Sequence, residues 1–187
     1  MLFTEDRFWN VSTDAKLLYG ILLDRMNLSA RNGWMDDAGR VYIIFTLEET
    51  MAALEACKMV SELPVMCSFS VTSDGMLYFG GSIYEAAPQL EEFGADAVGI
   101  NCSCGPDQME TVVRTLANTL SVPVIAKPNA GMPVIDEQGN AVYSMEPREF
   151  AVHMKALYKA GARILGGCCG TDPSYIRETK RILRECV

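Results

Sequence analysis

Histidine is almost absent from this sequence, because His153 is the only one in 187 residues. A Ser-His-Asp triad, a Cys-His pair and a His-rich metal site all need imidazole, so one histidine argues against each of them. Cysteine is present instead, at seven positions: Cys57, Cys67, Cys102, Cys104, Cys168, Cys169 and Cys186. Any reaction carried out by this chain is therefore expected to use thiolate chemistry.

Basic side chains are too few for a general nucleic-acid binder. Asp and Glu total 24 against 16 Lys and Arg, which gives a net charge of −8. Phosphate binding depends on clustered Lys and Arg, so this balance disfavours nucleic acid as a partner. Hydrophobic residues make up 49% of the chain and charged residues 21%, a composition typical of a folded protein with its own core.

Long apolar runs are missing as well. No stretch approaches the roughly 20 apolar residues that a membrane span needs. Residues 1–7, Met-Leu-Phe-Thr-Glu-Asp-Arg, do not resemble a secretory signal peptide. The odd number of cysteines then predicts reduced thiols, and close cysteines in that setting bind metal more often than they pair. We therefore expect a cytoplasmic protein with no membrane partner.

The pattern of predicted elements changes near residue 50. Residues 15–26 have apolar side chains at helical spacing, and residues 41–46 have the composition of a strand. These two elements predict a short α+β fragment over residues 1–50. Residues 51–187 instead alternate helices with continuously apolar strands, which is typical of a parallel sheet built from βαβ units. The predicted fold class is α/β.

Residues 51–187 are predicted to contain four strands and five helices. The strands are expected at residues 63–69, 97–102, 122–127 and 163–167. The helices are expected at residues 51–60, 83–93, 106–120, 147–160 and 172–186. Proline at the first turn of the fourth helix and glycine after its end follow the usual asymmetry of helix ends.

Thiols follow two of these strands directly. Cys102 ends the run Gly99-Ile100-Asn101-Cys102, and the pair Cys168-Cys169 lies in Gly166-Gly167-Cys168-Cys169-Gly170-Thr171. Functional residues of parallel α/β folds collect at the carboxyl ends of strands. Zinc in catalytic sites commonly has three protein ligands and one open position. Glycines around the pair allow a turn that points adjacent side chains at one ion.

Other interpretations of the cysteines remain. A free cysteine is often a small core residue, and we expect this of Cys57, Cys67 and Cys186. Cys104 could be a spare ligand or a core residue. A phosphate-binding loop at residues 166–171 would lack the lysine and the glycine spacing of a P-loop. A three-thiolate zinc lowers the pKa of a bound substrate thiol, so the residues point to zinc-dependent S-alkyl transfer without naming the substrate.

Three segments together resemble the homocysteine-binding barrel of the zinc-dependent homocysteine S-methyltransferases. They are Gly99–Cys102, Pro128-Asn129-Ala130-Gly131-Met132-Pro133 and Gly166–Thr171. The Pro-Asn-Ala-Gly-Met-Pro segment is most similar to the cobalamin-dependent methionine synthase branch. The resemblance implies Zn²⁺ held by Cys102, Cys168 and Cys169, with the homocysteine sulfur as fourth ligand and acceptor of the methyl group. It also places Asn101 beside the site and Asn129 at its mouth.

The resemblance covers about residues 51–187 and implies only part of the family's (β/α)₈ TIM barrel. That barrel typically needs about 250 residues, so about four C-terminal βα units are expected here. The segments expected to grip the amino acid, and any cobalamin-binding or folate-binding portion, are not recognised. The similarity to the cobalamin-dependent branch implies cobalamin as a candidate methyl donor, although no cobalamin-binding domain is recognised in this chain. Such a truncated domain is expected to be weakly active or inactive, and its exposed sheet edges are expected to favour homo-oligomers.

Residues 1–50 resemble a different family, the N-terminal domain of plasmid replication initiator A proteins. The resemblance rests on residues 13–26, Asn32-Gly33-Trp34 and residues 39–45. It implies a winged-helix-like fragment, but eight acidic and five basic side chains give these residues no basic surface. The chain as a whole therefore resembles a fusion of two protein fragments, residues 1–50 and residues 51–187. Three hypotheses follow: a methyltransferase-type zinc domain, a DNA-binding initiator fragment fused to a passenger barrel fragment, or a nonfunctional fusion that folds only by self-association.

Overall fold

The computed structural model describes residues 46–78 and 80–184, all within the unit Thr46–Val187. The helix expected at residues 15–26, the strand expected at residues 41–46 apart from Thr46, and the winged-helix-like fragment lie outside the described residues. Cys186 lies outside them too. The expected domain boundary at residue 50 stays a prediction.

Four parallel strands form the main sheet. Their bounds are β1 Met66–Phe69, β2 Ala97–Asn101, β3 Val124–Lys127 and β6 Ala162–Leu165. They lie side by side in the order β1-β2-β3-β6. The first four residues of β2 are fully enclosed, because helices follow the strands of a parallel sheet and cover its faces. The α/β class and the parallel sheet predicted from the sequence are confirmed.

Five helices accompany these strands. Their bounds are α1 Leu47–Val60, α2 Ile83–Glu92, α3 Glu110–Thr119, α4 Pro147–Ala160 and α5 Pro173–Arg184. Thr46 and Glu49 form a capping box that begins α1, four residues earlier than predicted. Gly161 follows the end of α4, as predicted, and adopts the left-handed conformation. None of these helices is both long and apolar enough to cross a membrane.

Most of the predicted elements differ from the structure by a few residues at one end or both, and two of them show the physical reason. The helix expected at residues 106–120 is a 3₁₀ turn, Pro106–Gln108, followed after Met109 by α3. The strand expected at residues 122–127 begins only at Val124, because Pro123 has no N–H to donate to a ladder. Periodicity locates an element well, but its ends depend on which backbone groups find partners.

A short hairpin was not predicted. Its two strands are β4 Val134–Ile135 and β5 Ala141–Val142, which pair antiparallel. Asp136 stabilises the turn between them, since its Oδ1 accepts the backbone N–H groups of Gln138 at 2.9 Å and Asn140 at 2.7 Å. Strands of two residues are too short to show an alternating pattern in a sequence.

The apolar core lies between the sheet and its helices. Phe150 on α4 is fully buried and meets Tyr175 of α5 edge to face, with ring centroids 5.3 Å apart. α4 and α5 contact each other more extensively than any other pair of elements in the described residues. This packing holds the loop after β6, which leads into α5, against the rest of the sheet.

Candidate metal centre

Three thiols meet at the carboxyl ends of β2 and β6. The Sγ atoms of Cys102, Cys168 and Cys169 all lie within 4.8 Å of one another. Cys102 and Cys169 are 3.7 Å apart at sulfur, and Cys168 and Cys169 are 3.9 Å apart. Sulfurs bound at about 2.3 Å to one tetrahedral zinc ion would be separated by about 3.8 Å. The donor set and its spacing therefore fit a zinc ion with one position left open.

The backbone that presents Cys102 is strained. Cys102 and Ser103 have φ angles of 59° and 68°, a left-handed conformation that residues other than glycine seldom adopt. The neighbouring strands hold this bend: the Cys102 N–H donates to the Lys127 carbonyl at 2.9 Å, and Ser103 Oγ accepts the Val71 N–H at 2.9 Å. The sheet thus sets where the Cys102 side chain lies.

The loop that carries Cys168 and Cys169 is bonded to the loop after β3. The Cys168 N–H donates to the Pro128 carbonyl at 2.8 Å, and the Cys169 carbonyl accepts the Ala130 N–H at 2.9 Å. Asn129 Oδ1 accepts the Cys169 N–H at 3.1 Å. Three bonds between two adjacent strand ends therefore orient the cysteine pair, and all three come from the Pro-Asn-Ala segment.

The two asparagines expected near the substrate both lie beside the thiols. Asn129 is 2% exposed, and its side-chain oxygen already accepts a hydrogen bond from the Cys169 N–H. Asn101 is half-buried at the end of β2, and its Nδ2 lies 3.4 Å from Ser70 Oγ. A role for either residue in substrate binding stays a prediction.

The glycines around the cysteine pair make room for neighbouring side chains. A Cβ added to Gly167 would lie 2.4 Å from Thr171 Oγ1. A Cβ added to Gly170 would lie 2.4 Å from Cγ of Tyr143, and Gly170 has a φ of +77°. A side chain at Gly170 would therefore meet both a steric overlap and an unfavourable backbone conformation.

Tyr143 is a neighbour of the thiols that the sequence did not reveal. Burial and the sulfur of Cys169, with smaller contributions from Cys102 and Cys168, raise the pKa of the Tyr143 hydroxyl to about 12. Tyr143 follows the hairpin strand β5, more than 20 positions before the cysteine pair. No spacing or motif in the sequence links it to the thiols.

Crowding affects the thiols in the metal-free protein. Burial first, then the neighbouring Cys102 and Cys169, raise the pKa of Cys168 to about 11. Each ionised sulfur disfavours the ionisation of the next, and a divalent cation would supply the opposite charge and reverse this preference. Metal binding here is accordingly expected to release protons.

The other three cysteines in the described part of the chain lie outside this cluster. Cys104 is 4% exposed, and burial, with Asp107 and Cys102 contributing, raises its pKa to about 11, as befits a core thiol. Cys67 is buried in β1, as expected of a core residue. Cys57 was also expected to be a core residue, and this was wrong: Cys57 is exposed on α1, and the buried face of that helix contains Leu54 instead.

Sequence comparisons match the chain to two families. The model of the homocysteine S-methyltransferase family matches residues 36–183, and that of the replication initiator protein A N-terminus matches residues 1–64. Methionine synthase from Mycobacterium leprae (strain TN) is 30% identical over 177 residues, 90% of this chain. Methionine synthase from Mycobacterium tuberculosis (strain ATCC 25618 / H37Rv) is 37% identical over 117 residues, 62% of this chain. The chain spans 14% and 10% of the lengths of these curated relatives.

Structural comparison supports the fold. The oxidized form of the homocysteine methyltransferase MmuM from Escherichia coli superposes with a TM-score of 0.59 at 24% identity, over 73% of this chain and 42% of that one. The 2,3-dimethylmalate lyase superposes with a TM-score of 0.51 at 19% identity, over 75% of this chain and 48% of that one. Since the first family model matches well over half of the residues, including all three converging thiols, the chain belongs to the homocysteine S-methyltransferase family.

Proposed function

We propose that this chain acts as a zinc-dependent homocysteine S-methyltransferase domain of the methionine synthase type. Cys102, Cys168 and Cys169 would hold the ion, and the homocysteine sulfur would take the open position. The observation that carries the proposal is the convergence of three sulfurs within 4.8 Å at the strand ends. Zinc in this setting would favour the thiolate form of the substrate, which is the form that accepts a methyl group.

The protein's own part in this reaction is to orient the ligands and the substrate. Asn129 and Ala130 hold the main chain of Cys169, and Lys127 holds that of Cys102. Asn101, at the end of β2, is assigned to substrate binding beside the metal site. Asn129 is assigned to the site mouth, where its oxygen fixes Cys169. Such fixed positions matter because catalysis depends on holding the reacting atoms in line.

We also propose that the four parallel strands are the last four of a (β/α)₈ barrel, a partial barrel whose strands carry the metal ligands but not a complete substrate pocket. On this interpretation the 187-residue chain tested alone transfers methyl groups slowly, because activating the thiol does not orient it against a donor. Orientation can supply effective molarities of order 10⁵ M or more. Cobalamin is a candidate methyl donor, which the assay would supply in solution. A site made of reduced thiols is consistent with a cytoplasmic location, because disulfides seldom form there.

A cobalt titration tests the proposed function. Co²⁺ replaces zinc in thiolate sites and gives visible bands that report its ligands. Homocysteine added to the cobalt-loaded protein should change those bands, whereas methionine, which has no free thiol, should leave them unchanged. A cobalt spectrum that homocysteine does not alter would refute the assignment of the open position.

Turnover is measured separately, as methionine formed from homocysteine with methylcobalamin or S-methylmethionine as donor. Slow or absent turnover by a protein that nevertheless binds homocysteine at the metal is the expected result. Rapid turnover that Cys102→Ala abolishes would show that the pocket is more complete than we propose.

A second candidate function rests on the replication initiator match at residues 1–64. In this alternative, the N-terminal fragment binds DNA and the barrel fragment is a passenger. The test is a titration with duplex DNA across a range of salt concentrations, since phosphate contacts give a steep salt dependence. With eight acidic and five basic side chains in residues 1–50, we expect no binding at physiological salt.

A further inference from the structure

Tyr143 lies against the cysteine pair without belonging to the metal-binding set. Its ring covers Gly170, so that a Cβ built there would be 2.4 Å from Cγ and 2.6 Å from Cδ2 of Tyr143. Gly170 directly follows Cys169 in the chain. The ring is half-buried, whereas Cys169 is the most exposed of the three thiol residues. The ring of Tyr143 therefore lies beside the segment that carries the most exposed of the three thiol residues.

The chain around Tyr143 is tied to Cys169 through a buried residue. Ala130 donates its N–H to the Cys169 carbonyl at 2.9 Å, and its own carbonyl accepts the Met145 N–H at 3.2 Å. The Met145 carbonyl in turn accepts a hydrogen bond from the Tyr175 hydroxyl at 2.8 Å. These bonds connect the segment that bears Tyr143 to the segment that bears Cys169. Backbone hydrogen bonds between loops at the strand ends therefore hold the segments of Tyr143 and Cys169 near each other.

The chemistry of the two groups is complementary. A phenol has an ordinary pKa near 10, so it keeps its proton and can donate a hydrogen bond at neutral pH. A metal-bound cysteine is a thiolate, which carries negative charge and accepts hydrogen bonds. Groups that donate hydrogen bonds to metal ligands tune both the affinity for the metal and the charge left on the ligand.

We propose that the Tyr143 hydroxyl donates a hydrogen bond to Cys169 Sγ when that sulfur binds a metal, which makes Tyr143 a positioning residue of the site. The inference rests on the proposed function and adds a residue to it. By drawing charge from the Cys169 sulfur, Tyr143 leaves the metal more electron-poor and so favours the thiolate form of a substrate bound at the open position.

The test compares Tyr143→Phe with Tyr175→Phe in the full chain, using Co²⁺ as the probe. Tyr143→Phe should lower the affinity for Co²⁺ about tenfold, in the range seen for groups that support metal ligands. It should also move the sulfur-to-cobalt charge-transfer band to lower energy, because a thiolate that has lost a hydrogen bond gives up its electrons more readily. Tyr175→Phe loses a hydroxyl bonded to a backbone carbonyl, so its band should stay at the wild-type position.

The outcomes separate the inference from the proposed function. If the wild-type protein binds cobalt and Tyr143→Phe leaves both the affinity and the band unchanged, the inference is refuted and the proposed function stands. If both Tyr→Phe variants shift the band equally, the effect is structural and the inference is refuted. If the wild-type protein with reduced thiols binds no cobalt, both proposals are refuted together. Circular dichroism of each variant checks that the fold is retained.

Discussion

Asn129 accepts a hydrogen bond from the backbone N–H of Cys169 at 3.1 Å, although the two residues stand 40 positions apart in the sequence. Asn129 follows β3 and is 2% exposed, while Cys169 follows β6. The bond joins two neighbouring strand ends and fixes the orientation of a candidate metal ligand. Asn129 is therefore a structural part of the site, whatever else it contacts.

Replacing Asn129 with alanine should weaken both the fold and the site. The loss of a largely buried hydrogen bond typically costs about 1–3 kcal/mol, so Asn129→Ala should lower the free energy of unfolding in urea by that amount. Metal affinity should fall about tenfold, as is usual when a supporting bond is lost. Asn140→Ala, in an exposed turn, should change the free energy of unfolding by no more than about 0.5 kcal/mol.

Purified, reduced protein should bind about one zinc ion per chain. Cys102→Ser, Cys168→Ser and Cys169→Ser should each abolish tight binding, because each removes one of three sulfurs that converge on the same point. Cys57→Ser removes an exposed thiol on α1 and should leave the stoichiometry unchanged. Elemental analysis after dialysis measures the metal content. Zinc retained by the Cys168 and Cys169 variants would contradict the ligand assignment.

Gly170→Ala should destabilise the protein far more than Gly139→Ala. Both glycines have positive φ angles, of +77° and +83°, and an L residue there costs about 1–2 kcal/mol. Gly139 has open space around it, whereas a Cβ at Gly170 overlaps the ring of Tyr143. The expected loss in the free energy of unfolding at Gly170 is about 3 kcal/mol. Equal losses, measured by urea denaturation, would mean that the ring moves aside without cost.

Glu91 should contribute to a loss of stability in acid. Its Oε1 accepts the backbone N–H groups of Ser121 at 2.8 Å and Val122 at 3.0 Å, as well as the Ser121 hydroxyl. The Ser121 hydroxyl, followed by these backbone bonds, holds the pKa of Glu91 below its usual value.

The pKa of Glu91 is lower in the folded state than in the unfolded state, where it is about 4.3. The stabilisation that ionised Glu91 provides is therefore fully present above the unfolded pKa, and it is lost as the pH falls through the folded pKa. Urea midpoints measured between about pH 6 and pH 3 should therefore fall less steeply for Glu91→Gln than for the wild type. Glu92→Gln removes a charge from the same helix end and serves as the matched control. Parallel curves for Glu91→Gln and the wild type would contradict the prediction.

The edges of the main sheet should make the protein self-associate. Among the described residues, β1 pairs with β2 alone and β6 with β3 alone, so each has one ladder side without a strand. Open edges with exposed apolar side chains favour pairing with another chain. Met66→Lys, at a 60% exposed position of β1, should reduce association in light scattering, whereas Met59→Lys, at an 80% exposed position of α1, should not. A monomeric wild type at high concentration would contradict this.

The sequence by itself determined the chain order of the five helices and of the four main-sheet strands, though not the short hairpin, and it singled out the three converging thiols. Continuous apolar runs, Pro147 and Gly161 are local signals, and they located the strands and the end of α4 within a few residues. The glycine-flanked pair Cys168-Cys169 and Cys102 could be singled out because parallel strands bring their carboxyl ends to one edge.

Tertiary structure alone decided how those thiols are held. The left-handed bend at Cys102 depends on Lys127 and Val71, which belong to other strand ends. The approach of Tyr143 to Gly170 depends on a hairpin with strands too short to show a pattern. Hydrogen bonds and contacts between residues distant in the chain leave no periodic trace in a sequence, since their spacing is set by the order of the strands in the sheet and not by the order of the residues.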